Sequence, residues 1–292
     1  PALLQTMTGQ KTISWVLFVL LALVWGSSFI LIKEGTKQLT GLQIGALRIF
    51  SAAVVFFPFA LFHITKLPKE KIPLILLTGL IGNLFPAFLF SIAIQQKTES
   101  SLAGILNSLT PLFVIVIGAL FFRTKIQAKK IAGVVVGFVG LLILSFTNGP
   151  ITAGSMSSML LILLATIFYG LNVNLVGTYL KGLDPIKMST VSVGFLIIPT
   201  AVVLWLNPIN LSAEEKHGST LAIVALGLLG TAAATVIFYA LIKKAGGLFA
   251  SLVTYAIPVV SMFWGFLDNE NIGLLQIGCL GIILGGVYLA NK

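Results

Sequence analysis

The segment Gly79-Leu80-Ile81-Gly82-Asn83-Leu84-Phe85-Pro86-Ala87-Phe88-Leu89-Phe90 returns, about 144 to 148 positions later, as Gly227-Leu228-Leu229-Gly230 running on to Phe238 at the same spacing. Working outward, the same shift carries Trp25-Gly26 onto Tyr169-Gly170 and the interval Ala103 to Pro111 onto Ala250 to Pro258. It also carries the Gly-x-x-x-Gly pair Gly133/Gly137 onto Gly281/Gly285. Each correspondence alone is weak. Four in the same order mark a duplication, with halves at residues 1–148 and 149–292.

Both copies of the segment lie inside long apolar runs. Of the 292 residues, 58% are hydrophobic and 9% charged, and the mean hydropathy is +1.08. A soluble domain of this size has too much surface to hide that much apolar area from water. The apolar runs fall at about 15–33, 42–65, 72–96, 100–122, 126–147, 156–180, 186–206, 218–243, 247–267 and 273–290. A helix needs ~20 residues to cross ~30 Å of hydrocarbon, whereas barrel strands would show alternating segments of ~10 residues. The sequence therefore predicts an all-α membrane protein of ten transmembrane helices. An odd number of spans per half reverses the entry face of the second copy, giving two inverted five-helix repeats. Such repeats characterise secondary transporters, with substrate near the midplane between the halves; duplication for packing alone is the competing reading.

The net charge of +10 is distributed as a membrane topology. With the N-terminus cytoplasmic, one side receives Lys11, Lys66, Lys69, Lys71, Arg123, Lys125, Lys129, Lys130, Lys181, Lys187, Lys243, Lys244 and Lys292. The other receives Lys33, Lys37, Lys97 and Lys216. This positive-inside bias predicts a multi-pass protein with both termini cytoplasmic, and the basic residues form no aromatic-basic patch suited to nucleic acid. The first span is too long for a cleavable signal and lacks a small-x-small site, so it reads as a retained helix. Cys279, alone in the chain, offers neither a disulfide nor a metal cluster.

Val24-Trp25-Gly26-Ser27-Ser28-Phe29 followed by Lys33, Leu47-Arg48-Ile49, the prolines Pro111 and Pro258, and Glu270 before Ile272 together resemble EamA-type proteins of the drug/metabolite transporter superfamily. Two departures stand out: Asp268-Asn269 replace the usual Leu-Gly before Glu270, and Thr124 sits where the first half would carry its own glutamate. The resemblance covers essentially the whole chain. It implies a ten-helix fold with cytoplasmic termini in a bacterial inner membrane, exporting small metabolites, often amino acids.

Polar groups inside a bilayer are costly unless paired or facing water, so they are candidate functional positions. The repeat matches Asn83 with Thr231, Asn107 with Thr254 (beside Tyr255), and Trp25 with Tyr169. These pairs, with Asn172 and Tyr239, are the expected cavity lining. Helix-to-helix hydrogen bonding is the rival role for Asn83, Asn107 and Asn172; interior packing is the rival for Trp25 and Tyr169, and an interfacial anchor for Tyr239. Arg48, inside the second span, is expected to snorkel outward, to pair with Glu34, or to bind a substrate carboxylate. Pro111 and Pro258, symmetry mates inside spans, bend their helices and are expected to serve gating or to be purely structural kinks. Trp15, Trp205 and Trp264 lie near span ends and read as belt residues. The two Gly-x-x-x-Gly pairs read as close packing, between halves of a monomer or across a homodimer.

Asp268, Glu270 and Glu99 read as solvated loop charges, and no carboxylate lies deep in a span, which disfavours proton-coupled cationic-drug exchange. Phosphorylated cargo would need several converging cations, and only Arg48 is available. His63 and His217 both sit at loops, so no catalytic constellation can be assembled; the chain reads as no enzyme, with no cofactor. The expected partners are a small neutral or zwitterionic molecule, such as an amino acid, and membrane lipid. A membrane scaffold is the remaining alternative.

Overall fold

The computed structural model describes the backbone of residues 2–124, 128–147 and 153–291, and the side chains of 12–124, 128–144, 156–245, 250 and 252–289. The side chain of Lys11, all of Lys125 and Lys292 of the topology argument, and the boundary at 148/149, lie outside the described residues. The chain is built from helices α1 (Thr12–Gly35), α2 (Gly41–Ile64), α3 (Lys69–Gln95), α4 (Ser100–Phe122), α5 (Ala128–Thr147), α6 (Met156–Tyr179), α7 (Pro185–Leu206), α8 (Glu215–Ala245), α9 (Val253–Leu267) and α10 (Leu274–Asn291). Among the described residues, seven (α1 to α4 and α6 to α8) are long and apolar enough to cross a membrane; α9 and α10 are shorter apolar helices. Strands are absent from the described residues.

Local chemistry sets the helix ends. Thr40 and Gln43 form a reciprocal capping box before α2, the Gln43 amide donating to Thr40 Oγ1 and the Thr40 amide to Gln43 Oε1. Asp184 caps α7 by accepting from the amides of Ile186 and Lys187, and Pro185 follows at the first helical position. Arg123 ends α4 with φ of 54°, the left-handed stop more often given to glycine.

Large apolar side chains point outward as well as inward: Trp205 is 79% exposed, Phe121 74% and Leu274 87%. In water that surface would be an aggregation site; in lipid it is the solvent-facing side. The main core, which includes Leu21, Ile44, Leu106, Ile162, Leu241 and Ile283, draws on nearly every helix.

Contacts pair the helices in a set pattern. α2 packs on α7, α4 on α9, and α5 on α10; α1 packs on α8 and α9, and α6 on α3 and α4; α2 touches α8, and α7 touches α3. Exchanging α1–α5 for α6–α10 returns the same set. The first three pairs run antiparallel. On α2 and α7, His63 lies 2.7 Å from Thr190 Oγ1, while Phe57 packs edge-on against Phe195. On α4 and α9, Gly104 meets Ser261 and Ser101 meets Gly265; on α5 and α10, Gly140 meets Ile283 and Gly137 meets Gly286. The second Gly-x-x-x-Gly pair is therefore not the contact its spacing promised. Gly133 and Gly137 pack on Gly286, while a side chain at Gly281 or Gly285 would meet nothing within 4 Å.

Candidate functional site

The repeated segment is where the backbone departs from α-helix. α3 contains a π turn at Leu80–Leu84, and α8 one at Leu226–Ala233. A π turn lengthens each hydrogen bond to the fifth residue and occurs often at functional sites. In α3, Pro86 has no N–H to offer the Gly82 carbonyl. α8 has Ala234 at the matching place, so the two turns share the glycine pairs and not the proline. A Cβ on Gly79 would collide with the Ser192 carbonyl oxygen of α7, and one on Gly227 with the Arg48 carbonyl oxygen of α2. Arg48 and Ser192 are themselves 144 positions apart. Likewise Gly82 faces the Asn172 side chain and Gly230 faces Ser28 Oγ. The glycines let two backbones meet at each crossing, and the widened turns present Asn83 and Thr231 beside them.

Around the α8 crossing, several expected residues come together. Arg48 Nε donates to Thr231 Oγ1 at 3.4 Å, a long bond. Its guanidinium is within electrostatic reach of the Tyr169 hydroxyl on α6. The Tyr169 ring stacks on Phe90 of α3 at 6.3 Å, and Phe90 packs on Phe29. Trp25 of α1 donates its indole N–H to the Gly230 carbonyl at 3.1 Å and lies against Phe238, which in turn packs on Tyr239. Trp25, Arg48, Tyr169 and Asn172 all retain part of their surface free of contact although they sit between helices. Arg48 does not pair with Glu34, whose carboxylate instead holds Lys37 at 2.6 Å. No Arg48 ion pair occurs among the described residues. The distance explains this: Glu34 sits at the end of α1, Arg48 two turns inside α2.

The remaining expected residues are placed as follows. Asn83 lies in the π turn, partly accessible. Asn107 ends the first segment of α4, and its carbonyl accepts from Thr110 Oγ1. Thr254 and Tyr255 form the first turn of α9, Tyr255 against the main core. Tyr239 Oη accepts from Ser189 Oγ at 2.9 Å, which ties it to α7 rather than leaving it as a free interfacial anchor. Asn174, not Asn172, is the helix-bridging amide: its Nδ2 donates to the carbonyls of Val114 and Gly170. Asn172 Oδ1 is buried with no partner among the described residues. The two prolines are seated differently: Pro111 opens the second segment of α4, just past a break at Ser108–Leu109, whereas Pro258 lies inside α9. Trp264 is no belt residue, since its indole N–H donates to Ser27 Oγ at 2.7 Å; Trp15 and Trp205 are exposed.

The structure also shows a polar cluster that sequence reasoning took for solvated loop charge. Glu270, its side chain 2% exposed, receives Lys33 Nζ at 2.7 Å, the Ser100 amide and hydroxyl at 2.8 Å, and the Ser101 amide at 2.9 Å. Asp268 holds the same Lys33 at 2.6 Å. The carboxylate thus caps α4, where the helix dipole favours an anion, and ties it to α1. Burial pushes the Glu270 carboxyl upward, but Lys33 and the Ser101 and Ser100 donors outweigh it and hold the group down at about 2. Burial, and then the charge of Glu270, push neighbouring Glu99 up from its ordinary value. Glu270 had one signal in the sequence, its place in the family motif.

Helices of membrane length with apolar exteriors, broken in matching places around a half-sheltered polar centre, define a multi-pass membrane protein. The sequence profile of the EamA-like transporter family matches residues 12–146 and again 156–292. The chain belongs to that family. It is 26% identical over 284 residues to an "Uncharacterized transporter" of Archaeoglobus fulgidus, covering 95% of this chain and 98% of that protein. It is also 26% identical to the "Uncharacterized inner membrane transporter YedA" of Escherichia coli, over 93% of this chain and 88% of that one. A "Probable amino-acid metabolite efflux pump" of Salmonella typhimurium is 33% identical, but over only 44% of this chain and 41% of its own length. A solved crystal structure superposes with a TM-score of 0.62 at 19% identity, covering 95% of this chain and 96% of the other; that likeness is one of fold.

Proposed function

We propose that the protein moves small neutral or zwitterionic metabolites, amino acids among them, across a bacterial inner membrane by alternating access, as an exporter or facilitator. The observation that carries this reading is the exchange pattern of helix contacts, in which α1–α5 and α6–α10 swap roles and equivalent pairs run antiparallel. Ten spans in two inverted five-helix halves, 1–148 and 149–292, account for it, as does the double match to the family profile. Either half then adopts the other's conformation, so a centre closed to one face opens to the other. The matched π turns, at the α3–α7 and α8–α2 crossings, support this reading, because such backbone is tolerated at membrane depth only where it is enclosed by protein or lines a cavity. The basic loops put both termini in the cytoplasm. The efflux-pump relative supports amino-acid cargo.

The test is uptake of radiolabelled amino acids by purified protein in sealed liposomes. Wild-type protein is expected to equilibrate label down its gradient. Asn107→Ala and Asn83→Leu are expected to lower flux at normal expression, and Trp15→Leu, whose ring is 56% exposed, to leave it nearly unchanged. Loss of transport in Trp15→Leu with both asparagine changes silent overturns the cavity assignment. Absence of flux for every solute overturns the carrier.

A further inference from the structure

Resting on that reading, we infer that Arg48 is the carboxylate-binding group of the central site: cargo carries a carboxylate that seats on its guanidinium, and amines without an anionic group gain nothing from that contact. Three observations lead there.

The first is the missing counter-charge. All eight acidic residues of the chain, Glu34, Glu70, Glu99, Asp184, Glu214, Glu215, Asp268 and Glu270, lie at span ends or in loops. The ion pairs among the described residues join Lys33 to Asp268 and Glu270, and Lys37 to Glu34. Arg48 sits in mid-helix with, among the described residues, a single long hydrogen bond to a neutral hydroxyl. Guanidinium has five N–H donors, and at most one of them is used there. An ionised group held inside a membrane protein without a partner marks a place where charge is supplied from outside.

The second is an internal control provided by the duplication. The position equivalent to Arg48 is Ser192, and both backbones make the same crossing, Arg48 with Gly227 and Ser192 with Gly79. Ser192 merely donates to the Ser189 carbonyl of its own helix. The crossing therefore forms with a serine, and packing does not call for a cation. What distinguishes Arg48 is the charge itself.

The third is the surroundings. Thr231 Oγ1 contacts the guanidinium, the Tyr169 hydroxyl lies within its electrostatic reach, and Phe90 backs the Tyr169 ring. Asn172, three residues along α6 from Tyr169, holds a buried carbonyl oxygen without a donor. A planar guanidinium matches a carboxylate with two parallel hydrogen bonds, and the amide oxygen can receive an N–H from the same solute. No second cation adjoins Arg48 in these contacts, which sets a carboxylate, with its single charge, above a phosphate.

The experiment uses matched solutes: 3-phenylpropanoate and L-phenylalanine, phenylalaninamide and phenethylamine, and inorganic phosphate. Melting of the purified full chain is recorded with each, and uptake is measured in liposomes. The two carboxylates are expected to raise the melting temperature, because a ligand bound to the folded state stabilises it; phenethylamine and phosphate are expected not to. Arg48→Gln is expected to abolish that shift and to cut carboxylate uptake roughly tenfold or more, the loss of one charged hydrogen-bonded contact. Arg48→Lys, which keeps the charge without the planar fork, is expected to fall between. Should Arg48→Gln fail to fold, Arg48→Lys carries the test: it is expected to slow carboxylate uptake more than that of phenylalaninamide. Equal slowing of carboxylates and amide, or stabilisation by phenethylamine or phosphate instead, overturns the carboxylate site while leaving a carrier. No uptake of any solute together with no melting shift overturns both.

Discussion

At the residue scale, Glu270 is the most heavily committed side chain outside the central site. Its carboxyl is lowered from 4.5 to about 2 on folding, so the folded state binds its proton less readily than the unfolded chain. The stabilisation is complete above 4.5 and is lost as pH falls toward 2, the sign expected for a depressed carboxylate. Glu270→Gln keeps the shape but removes the ionic contact to Lys33. It is expected to cost about 2 kcal/mol, read as a lower melting temperature at pH 7, and to flatten the acid dependence below pH 4.5. Unchanged melting at pH 7 would show that Asp268 holds Lys33 alone. Thr124, at the equivalent place in the first half, also bonds back to a glycine, but its amide reaches the Gly118 carbonyl one residue farther back than the Glu270 amide reaches Gly265. It lacks the carboxylate, and Gly177 stands where the mate of Lys33 would be. The clasp is a property of one end of the bundle.

At the element scale, the widened turns of α3 and α8 depend on glycine for contact, not for unusual dihedrals: Gly79, at the α3 crossing, is itself helical, with φ of −61°. Gly79→Val pushes a side chain into the Ser192 backbone, which cannot yield as a flexible side chain would, and is expected to destabilise by ~1–3 kcal/mol. Gly278, in α10, faces open space; Gly278→Ala gains helix propensity of up to ~1 kcal/mol and is expected to be neutral or stabilising. Thermal unfolding of both variants in detergent checks the contrast, which fails if the two behave alike.

For the whole molecule, the α5–α10 contact joins the last helix of each half through bare backbone: a Cβ on Gly286 would lie 2.7 Å from the Gly133 carbonyl oxygen. Gly286→Leu is expected to separate these helices and to lower yield of monodisperse protein severalfold. Gly281→Leu, on the outer face, is expected to be tolerated. Size-exclusion profiles of the two purified variants decide it, and equal damage would place the outer face in a contact as well.

Length, hydropathy and the internal repeat determined that this is a membrane protein of stacked apolar helices, because crossing lipid demands long runs with every backbone bond satisfied inside the helix. The candidate list was legible for the same reason: polar side chains are conspicuous where nearly all else is oil. Which of them meet was not legible. Arg48 was offered Glu34 by proximity in sequence but found Thr231, 183 positions away, because Gly227 sets where α2 crosses α8. Trp264 and Glu270 read as surface groups from their places near helix ends, yet the seating of α9, antiparallel to α4 and parallel to α1, turned both inward. Spacing along one helix reports which residues share a face; only the packing of several helices decides what that face meets.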